Sequence, residues 1–204
     1  MIYNIIPVRY INSTGGTFIS IFLKYARDNL PIEKKFSDHG NAHNMKRDLP
    51  DLYHSLNEES KQQIINESDK LGKDKMYYIP LHYHSPYPTG LFFKHITIGY
   101  NIISIPKLIK VFEKKWAVDS ENISSTEKIQ SLIKSQYIFY IKNIKNYQPS
   151  SDPNILYLNW ENDILGNPSS LIEKLSTFSF IKKENFDIES LIEWQNLTKN
   201  LFKK

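Results

Sequence analysis

Apolar and polar positions along the chain switch between two rhythms. "IYNIIPVRYI" (2–11) is a nearly continuous β-branched run that stops at "NSTGG", which predicts a buried strand entering a glycine turn. From Thr17 the spacing changes: Phe18, Ile19, Phe22, Leu23 and Ala26 form the stripe of an amphipathic helix. The segment 31–56 has no period and reads as irregular, rich in His, Asp and Asn. "NEESKQQIINESDKLG" (57–72) predicts a mostly exposed helix that Gly72 stops. "KMYYIPLHYH" (75–84) predicts a second strand, with Pro80 marking an early end or a sheet edge. "FFKHITIGY" (92–100) predicts a third strand.

"SIPKLIKVFEKKW" (104–116) follows as helix, where Pro106 is tolerable only in the first turn. A long amphipathic helix is expected over 125–147, opened by Ser124 or Ser125. "ILYLNW" (155–160) predicts a fourth strand. "NPSSLIEKLSTF" (167–178) predicts a helix with Pro168 in its first turn, and "DIESLIEWQNLTKNLF" (187–202) one capped by Asp187 with Ser190 beyond. Strands alternating with helices predict one α/β domain over 1–204, a three-layer sandwich around a short central parallel sheet of about four or five strands. Ligands in such sheets sit at the carboxyl ends of strands, which draws attention to the loops beginning near 12, 82, 99 and 160.

Composition narrows the chemistry. The 204 residues are 40% hydrophobic and 24% charged, enough for a sizeable core. The absence of cysteine excludes disulfides, thiolate zinc sites and cysteine nucleophiles. Net charge is +4, carried by 23 lysines and only three arginines (Arg9, Arg27, Arg47), so bidentate anion clamps are few and no nucleic-acid stripe is expected. The opening residues lack the basic lead and cleavage site of a secretory signal, and no apolar run is long enough to span a bilayer. A cytoplasmic protein without a membrane partner is expected.

"NSTGGTF" (12–18) is the first candidate site. Glycines allow a tight turn and close backbone approach, and the following helix presents N–H groups and a positive dipole end. Ser13, Thr14 and Thr17 add hydroxyls, so the loop suits phosphate or sulfate oxygens; an ordinary strand–turn–helix cap explains it equally well. It is neither G-x-x-x-x-G-K-[ST] nor G-x-G-x-x-G.

Taken in order, "NSTGGTF", "YHSPY", "GYNIISIPK" and "WENDILGNPSSLIEKLSTF" resemble the sulfotransferase family. The resemblance implies a P-loop NTPase-like α/β fold and 3′-phosphoadenosine 5′-phosphosulfate as co-substrate, with no metal expected. Gly15, Thr17 and Phe18 fit the family's P-K-S-G-T-T-W loop, and Ser13, Thr14, Gly15, Gly16, Thr17 and Phe18 are the implied donor-binding residues. His84 and Pro86 fit the family's K-T-H-L-P, which makes His84 the first choice of catalytic base. His82 is second, two strand positions away on the same face. The family's late Y-E-D-L…N-P…I-x-K-I-x-x-F-L is followed closely from Trp160 to Phe178.

Two departures stand beside these matches. The loop lysine is replaced by Ser13, and the arginine–serine pair that holds the 3′-phosphate is missing. Ser104 and Lys107 are the candidates to replace that pair. The glycine- and lysine-rich C-terminal motif of cytosolic members is also absent.

The expected activity is sulfuryl transfer to a hydroxyl or amine of a small-molecule or glycan acceptor. The alternatives are a nucleotide-binding phosphotransferase, or a non-catalytic protein retaining the fold. In "DHGNAHNMKRD" (38–48), His39, His43, Asp38 and Asp48 have the composition of a metal site. Gly40 and Asn41 oppose the helix that H-x-x-x-H would need, so no metal is expected; the segment reads as a polar loop, and its functional alternative is acceptor binding through His43. Tyr87 and Tyr100 are the aromatics best placed to shape an acceptor pocket. Glu161 and Asp163 of "WEND" read as capping residues.

Overall fold

The computed structural model describes residues 2–10, 14–32, 42, 45, 48, 58–82, 91–100, 104–119, 131, 135 and 152–203, with the backbone alone at 58–61, 82, 112–113 and 115–119. Four parallel strands form one sheet in the order β2-β1-β3-β4. They are β1 (Ile5–Tyr10), β2 (Tyr77–His82), β3 (His95–Gly99) and β4 (Ile155–Asn159). The helices are α1 (Gly16–Asp28), α2 (Glu58–Lys70), α3 (Ile105–Asp119), α4 (Pro168–Ser179) and α5 (Ile188–Lys203). A π-helical turn, Trp160–Ile164, leaves the end of β4. The helix expected over 125–147 lies outside the described residues apart from 131 and 135, both helical.

Alternation along the strands sends side chains to two faces. Ile6, Val8 and Tyr10 of β1 join Ile96, Ile98 and Leu158 in a core with Phe18 and Phe22 of α1, Leu171 and Leu175 of α4 and Trp194 of α5. Ile5, Ile79 and Leu81 join a second cluster with Ile64 of α2. Helices therefore cover both faces, as a three-layer α/β sandwich requires. The long β-branched run of β1 is explained by position: it is an inner strand, buried at all six residues. Pro80 sits in β2, which is an edge of the described sheet, and an edge tolerates the lost donor.

The caps follow the sequence closely. Asn167 accepts from the Ser170 N–H with Pro168 in the first turn of α4. The Asp187 carboxylate accepts from the Ser190 N–H at 3.0 Å and from the Ser190 hydroxyl at 2.8 Å. Pro106 lies in the first turn of α3. At the amino end of the sheet, Arg27 forks onto Asp28 and Asp48, and Asp48 also accepts from the Tyr78 N–H at 2.9 Å. This ties the end of α1 and the residue-48 segment to the start of β2.

Candidate functional site

The strand order places β1 between β2 and β3, so the chain's path reverses direction across the sheet at β1. The crevice outside the carboxyl ends of the strands at such a reversal is where open α/β sheets bind ligands. Three described segments meet that end: the glycine turn after β1, the start of α3 after β3, and the π-helical turn after β4.

The glycine turn is built against aromatic rings. Gly15 is the residue before α1 and has φ 86°, a left-handed conformation that favours glycine. Its carbonyl accepts from the Ile19 N–H at 2.9 Å, and no side chain caps the helix. A Cβ at Gly15 would overlap the Trp194 ring, and one at Gly16 would overlap the Tyr10 ring. Trp194 in turn lies flat on Phe18, with ring centroids 4.3 Å apart and planes 1° apart. Thr17 shares a 2.7 Å hydrogen bond with the Tyr10 hydroxyl, and Thr14 and Thr17 are both buried. Phe18 is a core residue. The described hydroxyls of the loop thus lie within the packed interior.

The start of α3 carries the second part. Ser104 is fully buried and donates its hydroxyl to Glu161 at 2.6 Å. Lys107, half exposed, donates its ammonium to the other oxygen of Glu161 at 2.7 Å. Both residues proposed for a phosphate therefore already hold a carboxylate. Burial works against the Glu161 charge, but bonds from Lys107 and Ser104 outweigh it and hold the carboxyl below its ordinary range. Glu161 is fixed locally because its N–H, with that of Asn162, is bound by the Asn159 side chain. Asp163 accepts from the Asn159 N–H at 2.7 Å and from Lys174 at 2.6 Å. Asp163 is thus the capping residue the sequence suggested, whereas Glu161 reaches across to α3.

His82 is the last residue of β2 and pairs in register with Tyr10, so its backbone lies at the carboxyl end beside the glycine turn. Its side chain, and Ser13, His84, His43, Tyr87, His39, Asp38 and Arg47, lie outside the described residues. Tyr100 is buried immediately after β3. Asp48 belongs to the Arg27 fork, and no cluster of three metal-ligating side chains occurs among the described residues.

Sequence reasoning did not single out Trp194, Tyr10 or His95 as site residues. His95 shares a sheet face with Thr97 and Arg9, and Arg9 pairs with Thr97 in register. All three are buried. Burial, then the charge of Arg9, pushes the His95 imidazole down to about 4, against an opposing pull from Asp152. The ring is neutral at neutral pH. The alternation of β1 carried a signal here, since Arg9 is the one charged residue in the buried run.

Compared with known proteins, the chain significantly matches no protein-family model, no curated protein and no solved structure. No helix among the described residues is long and apolar enough to cross a membrane.

Proposed function

We propose that this chain is a sulfotransferase-like enzyme of the P-loop NTPase-like class. It moves the sulfuryl group of 3′-phosphoadenosine 5′-phosphosulfate to a hydroxyl or amine of a small-molecule or glycan acceptor. The observation that carries the reading is the glycine turn. It follows an inner parallel strand, opens a helix that no side chain caps, and lies where the strand order reverses. The resemblance running from Gly15 to Phe178 supplies the donor and the roles.

In this reading the turn and the first N–H groups of α1 hold the donor's sulfuryl and 5′-phosphate oxygens. The acceptor oxygen or nitrogen attacks sulfur as the bond from sulfur to the bridging oxygen breaks, and the adenosine bisphosphate leaves. His84 accepts the acceptor's proton, with His82 as the second candidate. His43 and Tyr87 belong to the acceptor side, and no metal is required.

Calorimetric titration with 3′-phosphoadenosine 5′-phosphate tests the reading. The loop glycines cannot serve as probes, because any side chain there meets Trp194 or Tyr10. Thr17→Val keeps the volume and removes the hydroxyl. The variant should melt lower because the Tyr10 hydroxyl loses its partner, so it is titrated well below its melting temperature; binding by the wild type that weakens about tenfold in the folded variant supports the reading. No binding by the wild type overturns it.

One observation favours a second reading, a protein that keeps the fold without the donor: Thr14 and Thr17 are buried and Glu161 occupies Ser104 and Lys107. The same titration separates the two. A phosphotransferase lacks comparable support, since the turn has neither the lysine nor the hydroxyl that would hold magnesium. Magnesium-dependent ATP binding would be its signature.

A further inference from the structure

Ser104 and Lys107 come from one helix start and Glu161 from the end of a different strand, yet the three form one closed unit. Each oxygen of the carboxylate has one of the two donors, at 2.6 and 2.7 Å. A hydroxyl and an ammonium spaced to take two oxygens of one anion would equally take two oxygens of a phosphate or sulfate group. The chain meets this requirement with its own anion. Lys107 and Glu161 cancel in charge, so an incoming dianion gains no net attraction while the carboxylate stays.

We infer that Glu161 is a built-in competitor for the anion subsite made by Ser104 and Lys107. It sets ligand specificity by admitting a phosphate or sulfate group there only when its own carboxylate gives way. Naming that group as the donor's 3′-phosphate rests on the sulfuryl-donor reading; the competition itself does not.

The geometry allows the exchange. The backbone of Glu161 is pinned by Asn159, so the side chain can swing without unravelling the turn. Lys107 is half exposed and already at the surface. A carboxylate left beside a bound dianion repels it even in a water-like dielectric, so removing its charge should tighten binding at least tenfold.

The test uses the full chain as wild type, Glu161→Gln, Glu161→Ala and the double variant Glu161→Gln with Lys107→Gln. Inorganic sulfate is titrated at constant ionic strength, then 3′-phosphoadenosine 5′-phosphate and adenosine 5′-phosphate, with melting curves for each protein. Glu161→Gln should bind sulfate at least tenfold tighter, and Lys107→Gln should abolish the gain. Glu161→Ala, which also removes the charge, should gain in the same direction and stands in if the glutamine variant does not fold. Sulfate affinity unchanged or weaker in the substituted proteins overturns the inference. A sulfate gain without nucleotide binding upholds the competitor and removes the sulfuryl-donor reading. Nucleotide binding by the wild type without a sulfate gain does the reverse. When nucleotides bind, a gain confined to the 3′-phosphorylated compound assigns the subsite to that phosphate; an equal gain for adenosine 5′-phosphate assigns it to the 5′ side.

Discussion

The two ends of the sheet each carry a carboxylate linking separate elements, and they do so differently. At the amino end, the Arg27 guanidinium takes both oxygens of Asp28 and of Asp48, and bonds the Met76 carbonyl as well. Its side chain is 12% exposed and that of Asp48 4%. At the carboxyl end, Glu161 meets one hydroxyl and one lysine whose side chain is 51% exposed. Planar, multiply bonded and buried, the first linkage is a fixed staple. A single ammonium on a flexible stem makes the second exchangeable. Their placement agrees with this, because the staple lies away from the crevice and the exchangeable pair lies at it.

The sharpest way to break this comparison is to remove one carboxylate from each end. Asp48→Ala should cost about 2–3 kcal/mol in urea unfolding, since it leaves the Tyr78 N–H unpaired and takes one of two carboxylates from Arg27, which keeps Asp28. Glu161→Gln should cost under about 1 kcal/mol. Equal losses would erase the distinction between staple and exchangeable pair.

A pH series sharpens it further. Bonds from Arg27, the largest influence, lower the Asp28 carboxyl, so the staple's contribution persists above the carboxylate's ordinary 3.8 and fades below it. His95 acts earlier. Its folded value near 4 is below the ordinary 6.5, so the unfolded chain binds more protons between those limits. Stability should be full above pH 6.5 and fall by the order of 3 kcal/mol as the pH drops to 4. His95→Leu should flatten that window in thermal melts and leave the later loss in place. The smallest effect belongs to Lys174→Ala, which breaks a surface pair with Asp163 and should cost about 0.5 kcal/mol or less.

Much of this architecture was legible. The β-branched run of β1, the stripe from Phe18 to Ala26 and the prolines at 106 and 168 each reflect a local rule that the fold leaves unopposed. Rules of this kind name elements and caps. They do not name contacts between distant segments, which is why Glu161 was read as a cap. "WEND" looked like a pair of caps because Asp163 and Glu161 are chemically alike. Only the packing of α3 beside the end of β4 separates a carboxylate that caps from one that reaches Ser104. Likewise, the glycines at 15 and 16 fit phosphate binding and ring packing equally well on paper. That Trp194 and Tyr10 fill the space beside them depends on α5 docking onto the sheet.

That docking also bears on how the protein comes into being. The turn at Gly15 is synthesised well before Trp194, the tryptophan that covers it. Until α5 emerges, Phe18 lacks its stacked partner and the core around it is incomplete. The turn should therefore acquire its shape only after synthesis of α5, through a contact between segments far apart in sequence. Such long-range closure slows folding and leaves the nascent chain dependent on protection from aggregation.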